Sequence, residues 1–276
     1  YVKTGLRIAV NGVFGNLGVA SAALLTGYLV DQSGWRSAFI WPGVVTIVIG
    51  VGYAFFVVRV RSQESSADEG GASPATATAG NLQLGRNLLI RIFAIVFFST
   101  AVGSLVFQST TFSLPKIFDE RLGDLAISAT LVGWYAFVVF AIASMGQLVV
   151  GYLLDRFSIK AIFVGVAIFQ VVFFLAMIGR VGSIALLIAI AFMLVVFGQI
   201  PINDVLVGRV TKTEWRSRAY GLRYVIGFTV MASAVPMVAW IYARWSFDAL
   251  FVVLAAAGAT ILIAVMMLPS QLASKA

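Results

Sequence analysis

A chain of 276 residues that is 61% hydrophobic and only 11% charged carries more apolar surface than a water-soluble core of that size can hide, so its composition asks for lipid. The formal charge of +8 does not point to nucleic acid, because the basic residues fall in short segments between apolar stretches rather than along one stripe. Cysteine and histidine are both absent, which removes disulfides, thiolate nucleophiles, most zinc sites and imidazole acid–base chemistry, so no enzyme and no cofactor is expected.

Eight stretches are long and apolar enough to cross a bilayer: 8–30, 36–60, 88–111, 127–153, 159–179, 183–207, 219–243 and 247–268. Crossing ~30 Å of hydrocarbon at ~1.5 Å per residue takes roughly 20 residues of helix. The pattern predicts an all-α, polytopic membrane helix bundle. The first stretch lacks the short apolar core and the cleavage site of a signal peptide. It begins close to Tyr1, inside a basic segment, which predicts further sequence upstream. Its small residues Gly12, Gly15, Gly18, Ala22 and Gly27 predict close packing on another helix, with the fourth span as the expected partner.

After the second span, residues 62–85 are rich in Ser, Gly, Ala and Thr and read as a flexible cytoplasmic linker. The third span carries Thr100, Ser104, Gln108 and Thr111 at i, i+4, i+8 and i+11, on one helix face. That stripe lines a solute cavity or glues two helices; both readings stand. The sixth span contains Gln199, Pro201, Asn203 and Asp204. Pro201 removes a backbone donor, so Gln199 and Asn203 are expected along a wet path. Asp204 is an intramembrane carboxylate, expected either as a gate ion pair with nearby Arg209 or as a coupling site. Arg223 opens the seventh span beside Tyr220 and Tyr224. It either holds an anionic solute or snorkels to the interface and its basic network.

Sorting Lys and Arg by alternate loops gives 14 on one side and 5 on the other. The excess assigns the first side to the cytoplasm and puts both ends of the chain there. A weak repeat relates Tyr28–Phe39 to Trp240–Phe251 and fits a duplicated bundle.

Gly151 to Lys160 reads Gly-Tyr-Leu-Leu-Asp-Arg-Phe-Ser-Ile-Lys. Gly151, Asp155, Arg156 and Lys160 resemble the loop motif of the major facilitator superfamily, with Ser158 where the second glycine belongs. Gly34-Trp35-Arg36 after a glycine-rich span, and the linker placed before six spans, are similar to the same family. The resemblance implies that residues 1–61 are the last two helices of an N-terminal bundle, 62–85 the linker and 86–276 a complete six-helix bundle. Ala22-Ala23 stands where the family's antiporters carry a Gly-Pro step. The family's pseudo-symmetry implies that Asp155 meets the free amides that start the first span, near Thr4 to Leu6, as a latch; a solvated loop charge is the alternative.

The implied function is a secondary transporter. It would move a small solute by alternating access, driven by protons or another coupling ion, with drug or metabolite efflux favoured. An uptake symporter for a small organic anion and a non-transporting sensor remain open. No phosphate-cradling loop for ATP is present. The expected setting is the inner membrane, as a monomer, with lipid and solute as its only partners. Because the chain has no cysteine, its topology can be read from single labels. In intact cells a membrane-impermeant maleimide is expected to label Arg180→Cys and to leave Arg156→Cys unlabelled until the membrane is permeabilised.

Overall fold

The structure is a computed structural model that describes residues 4–64, 86–211 and 215–268. It contains α1 (Thr4–Ser33), α2 (Ser37–Glu64), α3 (Arg86–Arg121), α4 (Ala129–Leu154), α5 (Ile159–Ala176), α6 (Gly182–Val210), α7 (Arg216–Arg244) and α8 (Phe247–Met266), with a short 3-10 turn at Gly123–Leu125. All eight helices are long and apolar enough to span a membrane, and no strand occurs among the described residues. Hydrocarbon explains this uniformity: a spanning segment must satisfy its backbone polar groups internally, and a helix does so within one segment.

Serines set several helix starts. Ser128, Ser158 and Ser246 accept hydrogen bonds from the amides of Leu131, Ala161 and Asp248, so each entry carries its own cap. Gly34 turns the chain between α1 and α2 at φ +77°, a conformation that a side chain disfavours.

Two elements run past the lengths read from composition. The third span was expected to stop at 111, yet α3 continues to Arg121. Its last turns are amphipathic: Leu114, Ile117 and Phe118 are buried, while Lys116 faces out and pairs with Asp119 at 2.7 Å. Helical spacing outweighs the local charge. Likewise α2 extends to Glu64 and takes the first residues of the expected linker; the remainder, 65–85, lies outside the described residues.

The helices alternate in direction, so the starts of α1, α3, α5 and α7 share one end with the finishes of α4, α6 and α8. Contacts between those termini fix this arrangement. At this basic end, Lys160 Nζ at the start of α5 donates to the carbonyls of Met266 and Leu268 at 2.9 and 2.6 Å, where α8 finishes. At the opposite end, Arg121 donates to the Met177 carbonyl at 2.7 Å and to Asp248 at 2.6 Å, joining the finish of α3 to α5 and α8. A cation on final carbonyls satisfies orphan acceptors and suits the helix dipole. Buried aromatic rings, among them Phe140, Phe174, Phe192, Phe197 and Phe251, fill the bundle between.

The closest seam runs between antiparallel α1 and α4. A Cβ on Gly133 would lie 2.6 Å from the Ala23 carbonyl oxygen, and one on Gly151 would lie 2.6 Å from the Ala9 Cβ. The expected partner helix is therefore found, but only part of the expected glycine face is used. Gly12 and Gly27 meet α4, whereas Gly15 and Gly18 have nothing within 4 Å of an added Cβ. The buried face follows Gly5, Ala9, Val13, Asn16, Ala20 and Gly27 at helical spacing, which turns Gly15 and Gly18 outward. Gly133→Ala should cost about 1–3 kcal/mol through overpacking. Gly15→Ala should be neutral or stabilising by up to about 1 kcal/mol. Denaturant titration of the purified protein in detergent checks both.

Candidate solute cavity and gates

A cavity of about 170 Å³ lies between α3, α6 and α7. Thr100 and Ser104 reach it from α3, Gln199 and Asn203 from α6, and Arg223 from α7; Phe107, Tyr224 and Phe228 supply aromatic walls. A volume of this order holds one benzene-sized group. α3 and α6 are tied beside it by Ser99 Oγ, which donates to Asn203 Oδ1 at 3.4 Å. Gln199 is 4% exposed, its Nε2 has no hydrogen-bond partner among the described residues, and it packs against Gly103. A side chain on Gly103 would collide with that amide, so the glycine admits the glutamine.

Gln108 and Thr111, placed on the same stripe by their spacing, do not line the cavity. They share its azimuth, but Gln108 lies ~12 Å and Thr111 ~16 Å along the axis from Thr100. The intervening space is filled by Phe107, whose ring packs on Phe197 with centroids 5.3 Å apart. Periodicity gives the face of a helix and not the height at which a cavity ends.

The ionic partners also differ from expectation. Asp204 pairs with Arg223, not with Arg209. Residues five apart on a helix point about 140° from each other, so Asp204 and Arg209 cannot meet on a regular α6. Arg209 instead donates to the Leu154 carbonyl at 3.3 Å, where α4 finishes. Arg223 does not snorkel: it is 8% exposed and held inside the bundle. Tyr220 fixes the same corner by donating to the Asp204 carbonyl at 2.7 Å. Arg223 Nη1 serves Asp204, while its Nε is buried with no hydrogen-bond partner among the described residues.

The seam between α1 and α4 is pinned by carboxylates. At the basic end, Asp155 accepts from the amides of Gly5 and Leu6 at 2.9 and 3.1 Å. The carboxylate thus lies at the helix start where a latch was expected. Arg156 stacks over the Tyr152 ring at 4.3 Å. At the opposite end, Asp31 accepts from the Thr130 amide at 2.6 Å and the Thr130 hydroxyl at 2.5 Å.

The family model described as Major Facilitator Superfamily matches residues 2–123 and 96–275. The chain belongs to the Major Facilitator Superfamily. It is also similar to a protein of Mycolicibacterium smegmatis (strain ATCC 700084 / mc(2)155) named "MFS-type efflux pump", with 34% identity over 148 residues. That match covers 50% of this chain and 30% of the relative, so the chain spans well under two thirds of the curated relative it matches. Membership makes this a multi-pass membrane protein of a transporter family.

Within this facilitator fold, Asp31 and Thr130 escaped notice in the sequence because both sit at span ends, Asp31 just past the first stretch and Thr130 near the start of the fourth. A signal was available. Residues 27–31 read Gly-Tyr-Leu-Val-Asp and residues 151–155 read Gly-Tyr-Leu-Leu-Asp, 124 apart. Tyr224 and Phe228 were missed as cavity walls because aromatics in an apolar span carry no distinguishing mark. Gln147 was also missed; it is 1% exposed on α4 and its Oε1 crowds the position of Gly12.

The Arg223–Asp204 pair has a stability consequence. Removing one partner strands a buried charge, at a cost of about 3–5 kcal/mol. Arg223→Met should show that loss in denaturant titration. The double change Arg223→Met with Asp204→Leu should recover most of it.

Proposed function

We propose that this facilitator exports an amphipathic solute by alternating access and that the solute occupies the cavity between α3, α6 and α7. The observation that carries this reading is one buried guanidinium with an unpartnered Nε, set among aromatic walls and amide and hydroxyl groups. A second groove beside α1 and α4 is larger, at about 670 Å³, but no charged side chain lines it among the described residues, and Leu25, Tyr28 and Trp134 form part of its wall. Ligand sites are mostly apolar with a few placed polar groups, which favours the smaller cavity.

Arg223 also supports a solute class. A guanidinium offers two edges for carboxylates, and Asp204 takes only Nη1. The edge that includes Nε suits a second oxyanion. Among the described residues no carboxylate lines the cavity, and the charged side chain in its wall is the cationic Arg223. A solute with an aromatic or aliphatic body and one carboxylate therefore fits better than an organic cation. Export is favoured by the likeness to the efflux pump. The energy source in this reading is an ion gradient, protons foremost, because the sequence has no ATP-cradling loop. α1 and α2 belong to one rocking bundle and α3–α8 to the other, in a monomer whose basic end faces the cytoplasm of an inner membrane.

Proteoliposomes test this with three probes that share one benzene ring: phenylacetate, its amide, and 2-phenylethylamine. The carboxylate should be carried at least about tenfold faster than either analogue, since an ionic hydrogen bond is worth roughly 1.5–3 kcal/mol. Arg223→Lys keeps the charge and loses the planar edge, so it should erase most of that preference. Asp204→Asn removes a competing anion and should tighten carboxylate binding. Preferred carriage of the amine, blocked by Ser104→Trp, would keep the cavity and discard the anion. Carriage indifferent to Ser104→Trp would discard the cavity.

A further inference from the structure

Three residues that line the cavity between α3, α6 and α7 carry a buried polar atom with no hydrogen-bond partner among the described residues: Thr100 Oγ1, Gln199 Nε2 and Arg223 Nε. Hydroxyls in apolar helices can bond back to their own backbone, as Ser99 does to the Val96 carbonyl and Thr110 to the Val106 carbonyl. Thr100 does not. The three groups also stand at different levels. A Cβ on Gly103 would lie 2.7 Å from Gln199 Nε2, and one on Gly227 would lie 3.0 Å from Ser104 Oγ and 3.7 Å from Thr100 Cγ2. Thr100, Gly103, Gln199 and Gly227 therefore mark one level, with Thr100 and Gly103 neighbours at i and i+3 on α3. Arg223 precedes Gly227 toward the basic end by ~6 Å along α7, and its partner Asp204 follows Gln199 in the same direction by ~7.5 Å along α6. Two helices thus give a similar spacing between a cationic pole and a neutral pole of amide and hydroxyl. Farther out, the lining side chains Phe107, Val196 and Met231 are apolar.

We infer that Gln199 and Thr100 form a second recognition pole for a solute that carries a hydroxyl across an aromatic ring from its carboxylate, an assignment that rests on the docking of that carboxylate on Arg223. A buried donor left without a partner costs the desolvation of the group, so an oxygen brought to it is favoured. A hydroxyl suits this pole better than a carbonyl or an amine, because one oxygen accepts from Gln199 Nε2 and donates to Thr100 Oγ1. A second carboxylate does not suit it, since Arg223, the cation lining the cavity, stands at the other pole. A benzene ring with para substituents spans the gap, whereas a meta hydroxyl leaves the ring sideways. Gly103 makes the pole possible: with no side chain there, the amide lies against α3 beside Thr100. Arg223 sets that a carboxylate is favoured, and Gln199 with Thr100 sets which carboxylate.

Binding to the reconstituted protein, read by isothermal titration, tests this with two isomers of equal composition, 4-hydroxyphenylacetate and 3-hydroxyphenylacetate. The 4-isomer should bind about fivefold more tightly than the 3-isomer, the effect of one hydrogen bond made in one and missed in the other. Gln199→Leu should bring that ratio to about one. Gly103→Ala, whose Cβ displaces the amide, should also lower the ratio and serves where the leucine variant does not fold. Thr100→Val should lower it partway. A merely structural role for Gln199 would weaken both isomers alike and leave the ratio unmoved. A ratio near one in the unaltered protein, or a preference for the 4-isomer that survives both Gln199→Leu and Gly103→Ala, overturns the inference. Where both isomers still lose affinity with Arg223→Lys, the anion reading stands through that failure. Binding of neither isomer overturns both.

Discussion

In hydrocarbon a charge or an open backbone group has no water to fall back on, and the described structure is organised around that constraint. The charged side chains that tie helices together sit at helix ends or against one another. Lys160 covers the last carbonyls of α8, and Arg121 those of α5. Asp31 and Asp155 cover free amides at the starts of α4 and α1. The deep exception is Asp204 with Arg223, and that pair borders a cavity. Each of the terminal contacts links the end of one helix to a neighbour, so the charges needed for electrostatic closure also set which helices stand together.

The fold was legible because its signals are strong and local. Eight apolar runs and the Gly151–Lys160 segment state spans and family in a form that needs no tertiary information. The places where sequence was less informative share one cause. The height of Gln108 and Thr111 relative to the cavity depends on where Phe107 meets Phe197, a contact between helices about 90 residues apart. Nearness along the chain suggested Arg209 for Asp204, whereas helix geometry and the neighbouring α7 gave Arg223. Asp31 carried the same five-residue signature as Asp155, but it mattered only once α1 and α4 were known to lie side by side.

Cavity and seam are built from different contacts. The cavity holds unevenly paired donors beside aromatic rings, the arrangement that discriminates among solutes. The seam has its end carboxylates engaged by helix starts and its backbones in contact. Arg209 connects them, since its helix carries Asp204 and its guanidinium reaches the Leu154 carbonyl next to Asp155.

The central claim is that the solute's anionic group docks on Arg223. A structure of the reconstituted protein determined with phenylacetate tests it most directly. The account predicts density between α3, α6 and α7 with the carboxylate about 3 Å from Arg223 Nε. Density for the probe in any other place, with Arg223 still engaged by Asp204 alone, would contradict it.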